Sequence, residues 1–345
     1  MPGFADEIPQ QPAALRLTLD SIAPHLGDLA AWRTKVADGK LRRVIISGMG
    51  ASHFSNLPAQ LYMIQQGVET FAIEASELLH YQLPLVTPDT LLILVSQSGR
   101  SVETIKLLDA LNGRAPTIAI TNGADSPLAQ RADLTLLMQA GDEKTVSSKT
   151  YTCTLALQHI LSRALVGQDA EAARMAIYPV ADAMEAALPA WQAQASELVA
   201  RIDGSQTIMY LGRGASQASA MTGALITKES TKYPTEGMNA GQFRHGPMEI
   251  VDERIAAYIF AGGERTRAIN VGLGQEMARL GGRVMIVGAG EDVAGATMVR
   301  IPTVDDWLLP IVEIVPIHCF AAKFAAHRGY TPGDFRYLEK VTTRE

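Results

Sequence analysis

Cysteine is scarce: the 345 residues hold two, Cys153 and Cys319, far apart in apolar, helix-like surroundings. That excludes a disulfide framework and points to buried thiols in a reducing compartment, neither placed like a nucleophile. Positive charge is also thin. A net charge of −6, a pI near 5.7 and the lack of a dense Lys/Arg cluster leave no basic field for nucleic acid. No apolar core follows a basic start in Met1 to Ala14, and the apolar stretch Leu308 to Ala322 is interrupted by Pro310, Glu313, Pro316 and His318. Neither a secretory signal nor a membrane span is expected, and the reading is a soluble, cytoplasmic chain. No His/Cys/Asp group has ligand spacing, so neither a metal nor another cofactor is expected.

What the chain does have is length and apolar content: 47% of the residues are hydrophobic, enough for two domains with separate cores. Short apolar runs alternate with amphipathic segments: Arg43 to Ser47, Phe54 to Gln65, Glu69 to Ile73, Thr90 to Val95, Val102 to Leu111, Thr117 to Thr121 and Leu134 to Met138. This rhythm predicts an α/β fold with parallel strands and crossover helices. A second copy begins 164 residues on, where Ile208-Met-Tyr-Leu-Gly-Arg-Gly-Ala-Ser216 repeats the pattern of Val44-Ile-Ile-Ser-Gly-Met-Gly-Ala-Ser52. Similar α/β halves explain the repeat, although strand-Gly-x-Gly-helix turns are common to such folds. Residues 168–203, with periodic Met175, Val180, Met184, Leu188 and Leu198, predict helices joining the halves, and no low-complexity linker interrupts them.

One turn stands out. Leu91-Leu-Ile-Leu-Val95 leads through Ser96-Gln-Ser-Gly-Arg-Ser101 into a helical pattern. A helix start presents free N–H groups and the positive end of its dipole, and the serines add hydroxyl donors around a glycine that permits a tight turn. The segment suits a phosphate, or else is an ordinary strand-to-helix connection. In the second copy, Ala256 to Phe260 is followed by Ala261-Gly-Gly-Glu-Arg265, so the hydroxyls are missing where symmetry would put them.

Three further segments gather polar groups. Glu143-Lys-Thr-Val-Ser-Ser-Lys-Thr-Tyr-Thr152 precedes an apolar helix expected over Leu155 to Leu165, and reads as an elaborate helix cap or as part of a site. Lys228 to Pro247 carries Glu229 at the end of a helix face with Met221, Leu225 and Ile226, and His245 at a helix end or loop. Glu229 and His245 lie sixteen residues apart and can meet only through the fold. The terminal Phe335 to Glu345 holds Lys340 on a tail. Taken singly, each residue also fits a solvated charge or a cap.

Together these motifs resemble the sugar isomerase (SIS) family, specifically the isomerase half of glucosamine-6-phosphate synthase and the stand-alone amino-sugar phosphate deaminases and fructosamine phosphate deglycases. The resemblance runs from Glu7-Ile-Pro-Gln-Gln-Pro12 through Gly48-Met-Gly-Ala-Ser52, Ser96-Gln-Ser-Gly99, Glu143 with Val146-Ser-Ser-Lys149, Lys228-Glu229 and Gly241-Gln-Phe-Arg-His-Gly-Pro247 to Lys340-Val-Thr-Thr-Arg-Glu345. It implies tandem SIS subdomains, each a flavodoxin-like, three-layer αβα parallel sheet flanked by helices. The expected boundaries are an N-terminal helical segment 1–40, a first SIS domain 41–167, connecting helices 168–203, a second SIS domain 204–330 and an active-site tail 331–345.

By the same resemblance, Ser96, Gln97, Ser98 and Ser101 would hold the substrate phosphate, while Ser52, Val146 and Ser148 would reach the sugar. Glu229 would move the proton between C1 and C2, His245 would help open the ring, and Lys340 would approach the carbonyl. A homodimer is implied, with His245 serving the neighbouring subunit's site. Residue chemistry agrees: a shielded carboxylate and an imidazole suit acid–base work, and a desolvated lysine can form an imine or stabilise an enediolate.

The chain departs from the synthase pattern in several places. No glutaminase domain and no cysteine near the start are seen, so release of ammonia from glutamine is not expected. Ala51 stands where the synthase has a sugar-binding threonine, Ile226 where it has a second active-site lysine, and Val146 to Thr150 is one residue shorter. Arg100 either contacts phosphate or points to solvent. The expected activity is that of an enzyme converting an amino-sugar 6-phosphate, best glucosamine 6-phosphate, to fructose 6-phosphate and ammonia. A fructosamine-6-phosphate deglycase and a plain aldose–ketose isomerase are the alternatives. A non-catalytic sugar-phosphate sensor would need the phosphate loop, but not Glu229, His245 and Lys340 together.

Overall fold

The computed structural model describes residues 3–337 and 339–342. The chain forms two compact units. One contains Ala13–Glu143, Lys149–Ala181 and the tail from Tyr337; the other contains the segment up to Pro12, Lys144–Ser148 and Asp182–Arg336.

The first unit is built on five strands, β1 (Arg43–Gly48), β2 (Glu69–Glu74), β3 (Thr90–Val95), β4 (Thr117–Thr121) and β5 (Leu134–Leu137), in the order β2-β1-β3-β4-β5. Every neighbouring pair is parallel. Parallel strands covered on both faces need unbroken apolar sequence, and β3, Thr-Leu-Leu-Ile-Leu-Val, is buried at every position. Helices α1 (Asn56–Gln65), α2 (Val102–Leu111) and α3 (Lys149–Leu165) accompany the sheet. Leu107 and Leu111 of α2 pack with Leu92, Leu94 and Ile45 of the strands. Because α3 is buried along its whole length, the hydroxyls of Thr152, Thr154 and Ser162 turn back onto the helix, Thr154 reaching the Thr150 carbonyl at 2.7 Å.

The chain leaves β1 towards β2 on one side, while β3 adds on the other. Strand order reverses there, which opens a crevice at the carboxyl ends of β1 and β3. Gly48 pairs with Val95 in register, so the loops after these strands begin side by side.

The second unit repeats this plan with β6 (Thr207–Gly212), β7 (Thr235–Asn239), β8 (Ile255–Phe260), β9 (Arg283–Gly288) and β10 (Ala296–Arg300), ordered β10-β9-β8-β6-β7. Strand β6 takes the place of β1, and β8 that of β3. Helix α4 (Tyr178–Arg201) leads in, followed by α5 (Gln217–Thr231), α6 (Glu264–Arg279) and α7 (Leu309–His327). Val180, Met184, Leu188 and Leu198 are buried as the periodicity predicts, whereas Met175, closing a separate short helix, is 50% exposed. Pro310, Glu313, Pro316 and His318 interrupt the apolar run of α7 without ending the helix. That helix is long and apolar enough to cross a membrane, yet 83% of its apolar window is buried inside the protein. Both cysteines are buried thiols, on α3 and α7, and burial pushes each up to about 12.

Candidate active site

The turn from β3 to α2 is held by its neighbours. The Ser96 N–H donates to the Ile120 carbonyl at 3.1 Å, and the Gln97 carbonyl accepts from the Asn122 N–H at 3.0 Å and the Thr121 hydroxyl at 3.2 Å. Gly99 has φ +61°, and a Cβ there would fall 2.1 Å from the Ser126 hydroxyl, so both conformation and space demand glycine. Ser96 and Ser101 bring their hydroxyls to 3.2 Å, and Ser101 continues to Thr104 at 2.8 Å. The Ser98 hydroxyl accepts the Arg100 N–H at 3.1 Å, which leaves its own proton to donate. The Arg100 guanidinium binds the Asp125 carbonyl at 2.9 Å, out on the neighbouring turn. These hydroxyls stand at the N-terminal end of α2, where the helix dipole favours an anion.

The tail reaches the same helix end. The Thr342 carbonyl accepts the Val102 N–H, the first of α2, at 3.2 Å. Two residues earlier, the Lys340 ammonium pairs with the Glu143 carboxylate at 3.0 Å. The Glu143 side chain is wholly buried and also accepts the Thr150 N–H at 3.0 Å and hydroxyl at 2.6 Å at the start of α3. Lys149 is buried and donates to the Asp142 carbonyl at 2.6 Å.

Beside this turn, the loop after β1 carries Ser52 in the short helix Ala51–Phe54, its N–H on the Met49 carbonyl at 3.0 Å. The next residue, His53, is half-buried. Burial lowers its imidazole below the usual range, with the Glu74 carboxylate opposing.

The second unit holds the other expected residues. Glu229 is half-buried two residues before the end of α5, and Lys228 beside it is exposed. Lys232 caps that helix in the left-handed region at φ +54°, and its ammonium donates to the Glu229 and Asp334 carbonyls. Burial and the Arg336 guanidinium hold Lys232 below the ordinary amine range, against the pull of Glu229 and Asp334. His245 is exposed in the turn after the helix Ala240–Phe243, its N–H on the Gln242 carbonyl at 2.9 Å. Val146 and Ser148 are buried. Ile226 is fully buried.

The first unit therefore brings Ser96, Gln97, Ser98 and Ser101 together, with Ser52 on the adjoining strand end and Lys340 on the tail that meets α2. Glu229, His245, Val146 and Ser148 belong to the second unit. Sequence reasoning missed Thr104, although a second hydroxyl three residues after Ser101 is the spacing that meets it on a helix start. It also missed His53, adjacent to Ser52, and Lys232, three residues after Glu229, and the pairing of Glu143 with Lys340.

Paired parallel sheets of one topology, one of them ending in a hydroxyl-lined helix start, define a tandem α/β protein. A sequence profile of the SIS domain matches residues 40–165 and again 202–328. The chain belongs to the SIS domain family, and its two sheets are tandem SIS subdomains. It is 29% identical over 350 residues to glutamine–fructose-6-phosphate aminotransferase [isomerizing] of Pyrobaculum aerophilum, covering 98% of this chain and 57% of that protein. The chain thus spans little more than half the length of the curated relatives it matches. The C-terminal domain of glucosamine-fructose-6-phosphate aminotransferase from Francisella tularensis superposes with a TM-score of 0.85 at 18% identity, over 96% of this chain and 97% of that one. Glucosamine-6-phosphate deaminase from Thermotoga maritima gives 0.72 at 21% identity, over 94% and 99%. At these identities the likeness is one of fold.

Proposed function

We propose that the chain is a phosphosugar-converting enzyme that turns glucosamine 6-phosphate into fructose 6-phosphate and ammonia. The observation that carries this reading is the β3–α2 turn, where Ser96, Ser98 and Ser101 surround a helix start beside the tail bearing Lys340. A phosphate accepts several convergent donors, and these hydroxyls supply them without side-chain bulk. In this reading Ser96, Gln97, Ser98 and Ser101 hold the phosphate and Ser52, Val146 and Ser148 meet the sugar. His245, supplied by the second copy in a homodimer, passes a proton to the ring oxygen as the ring opens. Glu229 takes the proton from C2 of the open aldehyde and returns it to C1. The resulting C2 imine adds water, and the C2–N bond breaks to leave the ketose and ammonia. Lys340 stabilises charge on the carbonyl oxygen during the transfer.

The test is ammonia release, followed with a coupled glutamate dehydrogenase assay, from the 6-phosphates of glucosamine and galactosamine and from fructosamine 6-phosphates. Release with formation of fructose 6-phosphate from glucosamine 6-phosphate is the expected outcome. Release of an intact amine from a fructosamine adduct would make it a deglycase, and interconversion of aldose and ketose phosphates without ammonia would make it a plain isomerase. Ile226, an apolar side chain where the synthase has a lysine, favours keeping these alternatives in the screen. Binding of all compounds with turnover of none would identify a sensor.

A further inference from the structure

We propose that Glu143 is the positioning residue for Lys340: its buried carboxylate, fixed by Thr150, holds the tail amine beside the phosphate loop. The inference deepens the reading above and rests on it for the role of Lys340 at the sugar carbonyl. Its geometry lies wholly within the first unit.

The Lys340 ammonium sits 3.0 Å from Glu143 Oε2, and the lysine side chain is 25% exposed against 0% for the glutamate. A carboxylate withdrawn from water is costly unless several donors meet it. Here the Thr150 N–H reaches one oxygen at 3.0 Å, and the Thr150 hydroxyl reaches the other at 2.6 Å. Thr150 is the second residue of α3, so the carboxylate lies in the first turn of a helix, where negative charge is favoured. Its direction is thus set by the body of the unit rather than by the tail. Two residues further on, the Thr342 carbonyl takes the Val102 N–H at 3.2 Å. The tail is pinned at both points, one on Glu143 just before α3 and one on the helix start of the phosphate loop. A flexible lysine has four rotatable side-chain bonds, and anchoring its head on a fixed acceptor removes that freedom before substrate arrives. The neighbouring Lys149 donates to the Asp142 carbonyl at 2.6 Å.

Limited trypsin digestion of the full chain, read by mass spectrometry, tests the pairing without any substrate, because cleavage after Lys340 requires its ammonium to leave Glu143. Glu143→Gln is expected to speed that cleavage roughly tenfold, the factor of one lost charge-assisted hydrogen bond, with cleavage after Arg336 unchanged. Thr150→Val weakens the same helix start while keeping the carboxylate and should give a smaller acceleration. Equal acceleration by both variants, or none by Glu143→Gln in a protein that unfolds cooperatively, overturns the proposal. With glucosamine 6-phosphate as substrate, Glu143→Gln should lower kcat about tenfold or more and leave KM within about twofold. A change in KM alone would also overturn it. If the wild-type chain turns over no amino-sugar phosphate, the reading of function fails, and the digestion alone then decides whether Glu143 places Lys340.

Discussion

At the carboxyl end of β3, Ser96, Ser98 and Ser101 ring a helix start with hydroxyls, and no carboxylate of the loop caps that turn. At the carboxyl end of β8, its topological counterpart, the Asp306 carboxylate takes the Glu264 N–H at 3.0 Å and lies where a Cβ on Gly263 would fall, 2.2 Å away. The loops after β1 and β6 differ in the same sense. Ser52 is half-buried, whereas Ser216 and Ser219 give their hydroxyls to the fully buried Glu313 at 2.8 and 2.7 Å. One topology thus presents donors in the first unit and satisfies them internally in the second. At the end of β8 the Asp306 carboxylate is a tethered anion, and a helix start that holds one repels a phosphate as well as lacking room for it.

The sharpest way to break this division of labour is at the residue assigned to proton transfer. Glu229→Gln should lower kcat for glucosamine 6-phosphate by about 10²–10⁴-fold, while thermal stabilisation by inorganic phosphate persists. If phosphate stabilisation disappears with activity, Glu229 supports the fold and the second unit does not supply the chemistry.

Next in size is a dependence on pH carried by Glu313 of the second unit. Burial pushes the Glu313 carboxyl up from 4.5 to about 7, with the serine hydroxyls pulling down and Asp306 pushing up. A raised carboxyl pKa means that the folded state holds the proton more tightly than the unfolded chain. Its contribution is complete below pH 4.5 and is lost as pH rises to about 7, an effect on the order of 3 kcal/mol. Urea unfolding at pH 4.5 and 7.5 should show Glu313→Gln losing less stability than the wild type across that interval. Parallel losses would mean that the carboxyl is ionised throughout.

The smallest expected effect compares serines directly. Ser101→Ala should weaken phosphate binding by about tenfold, and Ser219→Ala should leave the affinity within about twofold, measured by isothermal titration. Equal weakening by both would erase the contrast between the strand ends.

Much of this architecture was readable in advance. β1, β3 and β4 are apolar runs long enough for buried parallel strands, and the repeat of Gly48 to Ser52 at Gly212 to Ser216 announced a second α/β half, though not the strand order that the two sheets share. β7 was not visible, because Thr-Glu-Gly-Met-Asn is an edge strand with polar positions. Its Gly237 is there for close packing: a Cβ would fall 2.7 Å from the Met221 Cα of α5. The serine loop was legible because its residues are contiguous. Lys340 and Glu143 were each noticed, but their pairing spans 197 residues and no local pattern encodes it. The carboxylates that fill the second unit were hidden for the same reason: Glu313 read only as an interruption of an apolar stretch and Asp306 carried no signal until the fold set them against Ser216, Ser219 and Gly263.

The ion pair between Glu143 and Lys340 also carries a schedule. At synthesis rates of about 5–20 residues per second, the lysine leaves the ribosome about 10–40 s after the carboxylate, given the 197 residues between them. The first sheet and its serine turn therefore have time to assemble on the nascent chain while the amine is still to be made. The Glu143–Lys340 pair is therefore a late contact, one that can form only after the strands of both sheets have been made.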